Sequence, residues 1–426
     1  MKQNMKWVSV LGLAASLGMG SGLAWADGKE AKKEGLPSRE EMWQMLQKQQ
    51  KELDQLKSQL SEARQTIQST REESQVATDN LARKVEEKVQ VAAPESKPAS
   101  SWTDKVKLGG EVKVQAAGTE NFNRTRTSDI TVSQVQLNLD AAINELVSLN
   151  VVLLHEEDAT ELVDVDKATV TVGDAAKGPV YVTAGLMAVP FGTFSTNMIS
   201  DPLTLTLAET KETALQLGFN ASGFYGSVYA FNGDANRTVG NDVIRQGGIA
   251  LGYQLEKGDY KLDVGAGLMQ GLEDAGTVWT SVSGRSATIQ SNIGAAGAHM
   301  NVQVGKVNLF SEYLMATEQF QVGEMAFNGR GAKPRVWSTE LGYTFDLMGK
   351  ETVASVGYQG TREALDLALP KNRLLAGLSV GILENTKLGF EWHHDTDYNT
   401  GTTASGATTG TGRETDAGLM EVKVGF

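Results

Sequence analysis

From Val106 onward, apolar and polar residues alternate along the chain, the period of a strand with one apolar and one polar face. Val106, Leu108, Val112 and Val114 share one face, while Lys107, Glu111, Lys113 and Gln115 share the other. The same alternation fills 213–219, 260–268 and 337–345. Such runs approach the roughly 9–11 residues that a tilted strand needs to cross a bilayer. Sixteen segments follow this pattern, starting near Val106, Asp129, Leu146, Leu162, Val180, Glu212, Phe224, Val243, Tyr260, Gln290, Val307, Arg335, Thr352, Arg373, Thr386 and Glu414.

The connections alternate as well. Those after even-numbered segments are short, as at 221–223, 256–259, 305–306 and 384–386. Those after odd-numbered segments are long: 117–128, 190–210, 271–288, 319–334 and 396–413. Short turns on one side and long loops on the other are the asymmetry of an outer-membrane barrel. An even strand number returns both barrel ends to the short-turn, periplasmic side. The pattern predicts an all-β fold, a transmembrane antiparallel β-barrel of about 16 strands over 104–426. Glu111, Lys113 and Glu340 fall on its lumen-facing positions. Tyr253, Tyr260, Phe345 and Phe426 fall beside short turns on lipid-facing parity, as a lower aromatic girdle requires. Met420, Val422, Val424 and Phe426 alternate at the end and read as an assembly signal for the barrel-assembly machinery. The last strand must pair with the first, because a barrel has no free edge.

Before the barrel the period changes to seven. Leu46, Leu53, Leu60 and Ile67 recur every heptad, with Leu56 and Ala63 between them. This is the seam of an N-terminal α-helical coiled coil over 39–90, long enough to span roughly 78 Å at the helical rise. Pro94 and Pro98 end it within a linker, 91–103. A short segment, 27–38, precedes it. Residues 1–26 carry Lys2 and Lys6, an apolar stretch and Ala24-Trp25-Ala26, a secretory signal peptide.

Composition refines this picture. No later stretch supplies the roughly 20 consecutive apolar residues of a spanning helix. With 21% charged residues the chain resembles a soluble protein, yet a barrel shows lipid only every second residue. The net charge is −13 over the whole chain. Residues 1–26 hold two Lys and no acid, and 27–102 hold 14 acids against 13 bases, which leaves −14 for the barrel. That acidity argues against nucleic acid and for a lumen suited to cations or neutral solutes. There is no Cys and hence no disulfide framework.

No catalytic set, metal site or cofactor motif emerges. His155, Glu156, Glu157 and Asp158 have ligand-type side chains, but adjacent strand residues point to opposite faces. His393 and His394 split across the wall in the same way. Gly265 and Gly267 lie inside a strand and read as small lumen-facing residues, not as part of a dinucleotide fingerprint. What remains is a pore, since about sixteen strands leave an aqueous channel unless something fills it.

One segment breaks the alternation. "AVPFGTFSTNMISDPLTL", 188–205, keeps no period but holds Phe191, Phe194, Met198, Ile199 and Leu203 among turn residues. It follows the fifth segment, where a porin loop folds inward to narrow the channel. Asn197, Asp201, Glu209, Lys211 and Glu212 are the candidates for that constriction. This region also resembles the LbtU-type siderophore porins, most clearly over 128–234, in "SDITVSQVQLNLDAAINELVSLNVVLLHEED", "VDKATVTVG", "VPFGTFSTNMISDPLTLTLAET" and "GFYGSVYAFNGD". The resemblance implies an outer-membrane barrel with an N-terminal helical stretch and a link to siderophore uptake. The expected function is facilitated diffusion of small polar solutes, without enzymatic activity. The alternative is a structural protein whose coiled coil ties the barrel to peptidoglycan or periplasmic partners. Outer-membrane lipid, a small-molecule solute and further copies of the chain, a trimer among the allowed assemblies, complete the expected partners.

Overall fold

The computed structural model describes residues 105–157, 162–173, 178–235, 243–285, 289–290 and 292–426, all within the unit Pro98–Phe426. The signal peptide, the short segment after it, the coiled coil with its seam from Leu46 to Ile67, and the linker lie outside the described residues. Sixteen antiparallel strands close into a barrel. They are β1 (Val106–Glu120), β2 (Arg126–Ala142), β3 (Val147–His155), β4 (Asp164–Val172), β5 (Val180–Ala188), β6 (Lys211–Ala221), β7 (Phe224–Phe231) and β8 (Gln246–Lys257). The wall continues with β9 (Tyr260–Gln270), β10 (Gly294–Val304) and β11 (Val307–Ala316). A small hairpin in an outer loop, β12 (Ala326–Phe327) and β13 (Arg330–Gly331), stands apart from the wall. The wall then resumes with β14 (Arg335–Leu347), β15 (Lys350–Arg362), β16 (Asn372–Leu383), β17 (Thr386–Thr396) and β18 (Glu414–Gly425).

The alternation sorts side chains between lipid and lumen. On β6, Leu215 and Leu217 are exposed outward, while Ala214 between them and the strand end is buried inward. Closure pairs Val112 with Val424 and Val114 with Val422. Backbone bonds of 3.1 and 3.0 Å join Gly110 and Phe426. The Phe426 ring lies directly over Gly110, where a Cβ would sit 2.7 Å from the ring. Tight turns such as Ser222-Gly223 and Met348-Gly349 take positive φ at both residues, which matches the twist of the strands they join.

Five strand starts differ from the pattern by two residues or more. β4, β8 and β10 begin late, at Asp164, Gln246 and Gly294 in place of Leu162, Val243 and Gln290, whereas β2 and β15 begin early, at Arg126 and Lys350 in place of Asp129 and Thr352. Leu162, Val243 and Ile244 are apolar yet exposed beyond the strand ends, so the alternation overruns the wall.

The long loops are not a loose fringe. Helices α1 (Leu203–Ala208) and α2 (Gly276–Ser283) pack with the turn at Leu272–Asp274 and the loops at 317–334 and 363–371. Leu207, Ala275, Val278, Val282, Met325 and Ala364 are fully buried there, in one cluster with Phe191, Leu314 and Val336. The outer mouth of the barrel thus holds a hydrophobic core of its own, which the sequence pattern treated as loop.

Candidate functional site: an inward loop and the aperture it leaves

The segment between β5 and β6 runs along the inner wall, bound at each step. Phe191 is 2% exposed and sits over Gly267 of β9 and Gly297 of β10, where a Cβ would lie 3.4 and 3.5 Å from its ring. The Thr193 amide donates to Glu312 Oε1 on β11 at 2.6 Å. Asn301 Nδ2 on β10 donates to Ser195 Oγ at 3.1 Å. Glu340 on β14 accepts from Thr196 Oγ1 at 2.7 Å and from the Asn197 backbone and side-chain nitrogens at 2.8 and 2.6 Å. Glu391 on β17 accepts from the amides of Ile199 and Ser200 at 2.6 and 2.9 Å. Finally the Leu203 amide donates to Gln359 Oε1 on β15 at 3.1 Å, and α1 leads back to β6.

The wall beneath is shaped to receive this path. Glu312, Glu340 and Glu391 are each less than a tenth exposed, and Gly342 and Gly389 flank the latter two on inward positions. Met198 rests on Gly357 and Gly377, and Ile199 rests on Gly389. A carboxylate that accepts two or three N–H or O–H donors in a dry site is a strong anchor, because charge-assisted bonds exceed neutral ones. Here the acceptors belong to strands, and the donors divide between loop amides and the side chains of Thr193, Thr196, Asn197 and Ser200. The anchors therefore fix the loop's path together with these four side chains.

The opposite wall is left open. Inward positions of β1, β2 and β18 carry Lys113, Gln115, Gln134, Gln136, Glu421 and Lys423. Gln134 Nε2 donates to Gln136 at 2.8 Å, and Gln136 Nε2 to Asn138 at 2.7 Å, an amide ladder along β2. Lys113 and Lys423 both pair with Glu111. Asp201, exposed on the loop, lies within electrostatic reach of Lys113. Asp201 is thus the loop residue that reaches toward the β18–β1–β2 wall.

The structure brings three of the five residues expected at a constriction together. Asn197 is locked onto Glu340. Glu209 and Lys211 form a cluster with Asp166, and Asp201 lies within electrostatic reach of both as well as of Lys113. Lys211 occupies the outward parity of β6, because Thr213, Leu215 and Leu217 share it and are exposed. Glu212 is on the inward parity, within reach of Asp234 and Asp274 of the outer loops. Of the expected lumen residues, Glu111 holds the two lysines and Glu340 the loop. Sequence reasoning missed Glu312, Glu391 and Gln359. Their one signal was a polar residue at inward parity near inward glycines, as in 389–391. Among the described residues, no group of three or more His, Asp or Glu is placed to hold a metal.

No protein-family profile matches the chain. Its homologues are UPF0422 proteins. One from Legionella pneumophila (strain Philadelphia 1) is 31% identical over 355 residues, covering 75% of this chain and 66% of that protein. One from Coxiella burnetii is 26% identical over 311 residues, covering 71% and 66%. The chain thus spans just under two thirds of these relatives, whose names specify no cargo. Among solved structures, an anion-selective porin from Comamonas acidovorans matches with a TM-score of 0.52 at 14% identity, covering 75% of this chain and 99% of that one. Pseudomonas putida OprB gives 0.53 at 9% identity, covering 76% and 95%. The outer membrane channel DcaP of Acinetobacter baumannii gives 0.50 at 13%, covering 75% and 97%. The fold is that of outer-membrane porins and channels.

Proposed function

We propose that this protein is an outer-membrane porin that passes small polar solutes by facilitated diffusion through an off-centre aperture. The observation that carries this reading is the inward loop at 190–210, held to the wall by Glu312, Glu340 and Glu391 while the amide- and lysine-lined wall opposite stays open. A loop that fills half of a wide lumen turns an unselective hole into a sieve, and charges at the remaining gap bias what passes. Asp201 and Lys113 are the residues proposed to set that bias. The resemblance to siderophore porins makes a ferric siderophore the first solute to test. Purified protein reconstituted in planar bilayers is expected to give discrete conductance steps, reduced by such a solute. No conductance and no liposome swelling would overturn the porin reading.

The outer surface supports assembly with further copies of the chain. β1–β4 contain no Phe, Tyr or Trp, and the single aromatic of β5, Tyr181, points inward over Gly218. Elsewhere Phe219, Phe224, Tyr313, Tyr343, Tyr358, Phe390 and Trp392 face outward. An aromatic girdle marks contact with the membrane interface; apart from the Phe426 ring over Gly110 it is missing from these five strands, which fits a face covered by another subunit. The heptads at 39–90 support a second role, a periplasmic tether. Deleting them tests it: unchanged permeability with a loosened envelope favours the tether, and an intact envelope counts against it.

A further inference from the structure

Beneath the inward loop, on the short-turn side, the wall of β8–β11 encloses a bay of about 620 Å³. Two rows of inward residues frame it. Register places Gln254, Asp263, Asn301 and Phe310 side by side on successive strands, and Glu256, Lys261, Gln303 and Asn308 in the row below. Asn197 of the loop forms part of its roof. The size is that of a small-molecule site, for which roughly 300–1,000 Å³ is usual.

The charges of the bay are largely spoken for. Lys261 pairs with Glu256 at 2.9 Å. Asp263 accepts from Tyr225 Oη at 2.7 Å and Gln254 Nε2 at 3.4 Å, with His299 Nε2 also 3.4 Å away. Glycines at 252 and 265 let the Tyr225 and His299 rings lie against the wall there. With Lys306 at the lip, two acids meet two lysines, so neither a cation nor an anion is favoured by net charge.

The amides remain. Asn301 gives one N–H to Ser195, and Gln303 gives one to the Gly305 carbonyl. These bonds use nitrogen donors and leave amide carbonyl oxygens for a ligand. Asn308 Nδ2 is buried with no hydrogen-bond partner, a donor left unsatisfied beside the bay. Beside them Phe310 is half-buried on a lumen-facing position among polar neighbours. Planar amides offer a donor and an acceptor at the spacing of adjacent hydroxyls, and a phenyl face suits the C–H face of a ring.

We propose that this bay, framed by Gln254, Asn301, Gln303, Asn308 and Phe310, binds a neutral, hydroxyl-rich solute such as a small saccharide. The inference rests on the porin reading and names a solute class for it. The bay is a holding site below the aperture, where a solute that has passed the loop pauses before release.

The test uses the full chain in planar bilayers, with maltotriose added on the short-turn side and citrate as the anionic comparison. Maltotriose is expected to reduce the open-channel current saturably, and citrate at equal concentration is not. Phe310→Ala and Asn308→Leu are each expected to raise the half-blocking concentration at least tenfold, with heat-modifiable gel mobility showing that both variants fold. Open channels without saturable block, equal block by citrate, or block unchanged in both variants would overturn the bay and leave the porin standing. If no channel opens, the porin reading fails, and calorimetric titration of maltotriose into the detergent-solubilised protein decides the bay. Heat lost in the Phe310→Ala protein sustains it, and no binding overturns it.

Discussion

The two halves of this barrel wall answer different demands with the same strand geometry. Where the inward loop crosses them, the strands from β9 to β17 place glycines and buried glutamates on inner positions, and their outer positions carry aromatics. From β1 to β4 the inner positions are amides, lysines and threonines, and the outer ones are aliphatic throughout. One half is built to be covered inside and wet by lipid outside. The other, on the porin reading, is open to solute inside and offered to a further subunit outside. Side chains of period two can specify both assignments independently, because each face of a strand is written by alternate residues. The difference shows that a closed barrel can place its passage off-centre without any change in backbone.

The comparison can be broken first at the loop. Glu340→Ala removes the acceptor of three bonds, each worth roughly 1.5–3 kcal/mol when the partner is charged. The loop should leave the wall, single-channel conductance should rise several-fold, and protease should cut within 190–200. Unchanged conductance would mean that the loop does not narrow the pore. Next comes the outer surface. Leu137→Arg on β2 should abolish a cross-linkable oligomer, whereas Leu251→Arg on β8, equally outward, should cost about 2–4 kcal/mol in the bilayer yet keep the oligomer. Equal behaviour of the two would erase the distinction between the faces.

A smaller effect is expected at the passage. Lys113→Glu should shift the reversal potential toward cation preference, and Asp201→Lys should shift it the other way. The smallest concerns the packed mouth. Burial pushes the Asp274 carboxyl up to about 6, with the Ala235 amide and a neighbouring Gln246 opposing that shift. A raised acid means that the folded state binds the proton more tightly than the unfolded chain, whose value is roughly 3.9. The packing around 271–285 should therefore become firmer as pH falls from 7.5 through 6, and relax again as it rises. Hydrogen exchange of that segment, corrected for intrinsic rate, measures it. Asp274→Asn should remove the pH dependence.

Much of the wall was legible because lipid-facing residues must be apolar and their neighbours need not be. Sixteen strands follow from that rule alone. Where it misled, at Leu162 and Val243, apolar side chains sit exposed at the rim, and nothing local distinguishes them from strand residues. The core of the mouth was invisible for another reason. α1 and α2 are six and eight residues long, too short to show a helical period, and their partners lie far along the chain. Lys211 has the outward parity of β6, yet it reaches Glu209 and Asp201, a tie that parity alone does not show. Glu312 and Glu391 could be seen to face inward, but which segment they would hold depends on a loop crossing the lumen, and no pattern in the strands encodes that.

Three glutamates each grip at least one amide N–H of the loop, a handle that every residue except proline carries. Side chains on that path other than Thr193, Thr196, Asn197 and Ser200, which add bonds of their own, can be replaced without loss of that grip. On the porin reading, the mesh of such a filter is free to change over evolutionary time, and its frame need not be rebuilt for each new diet.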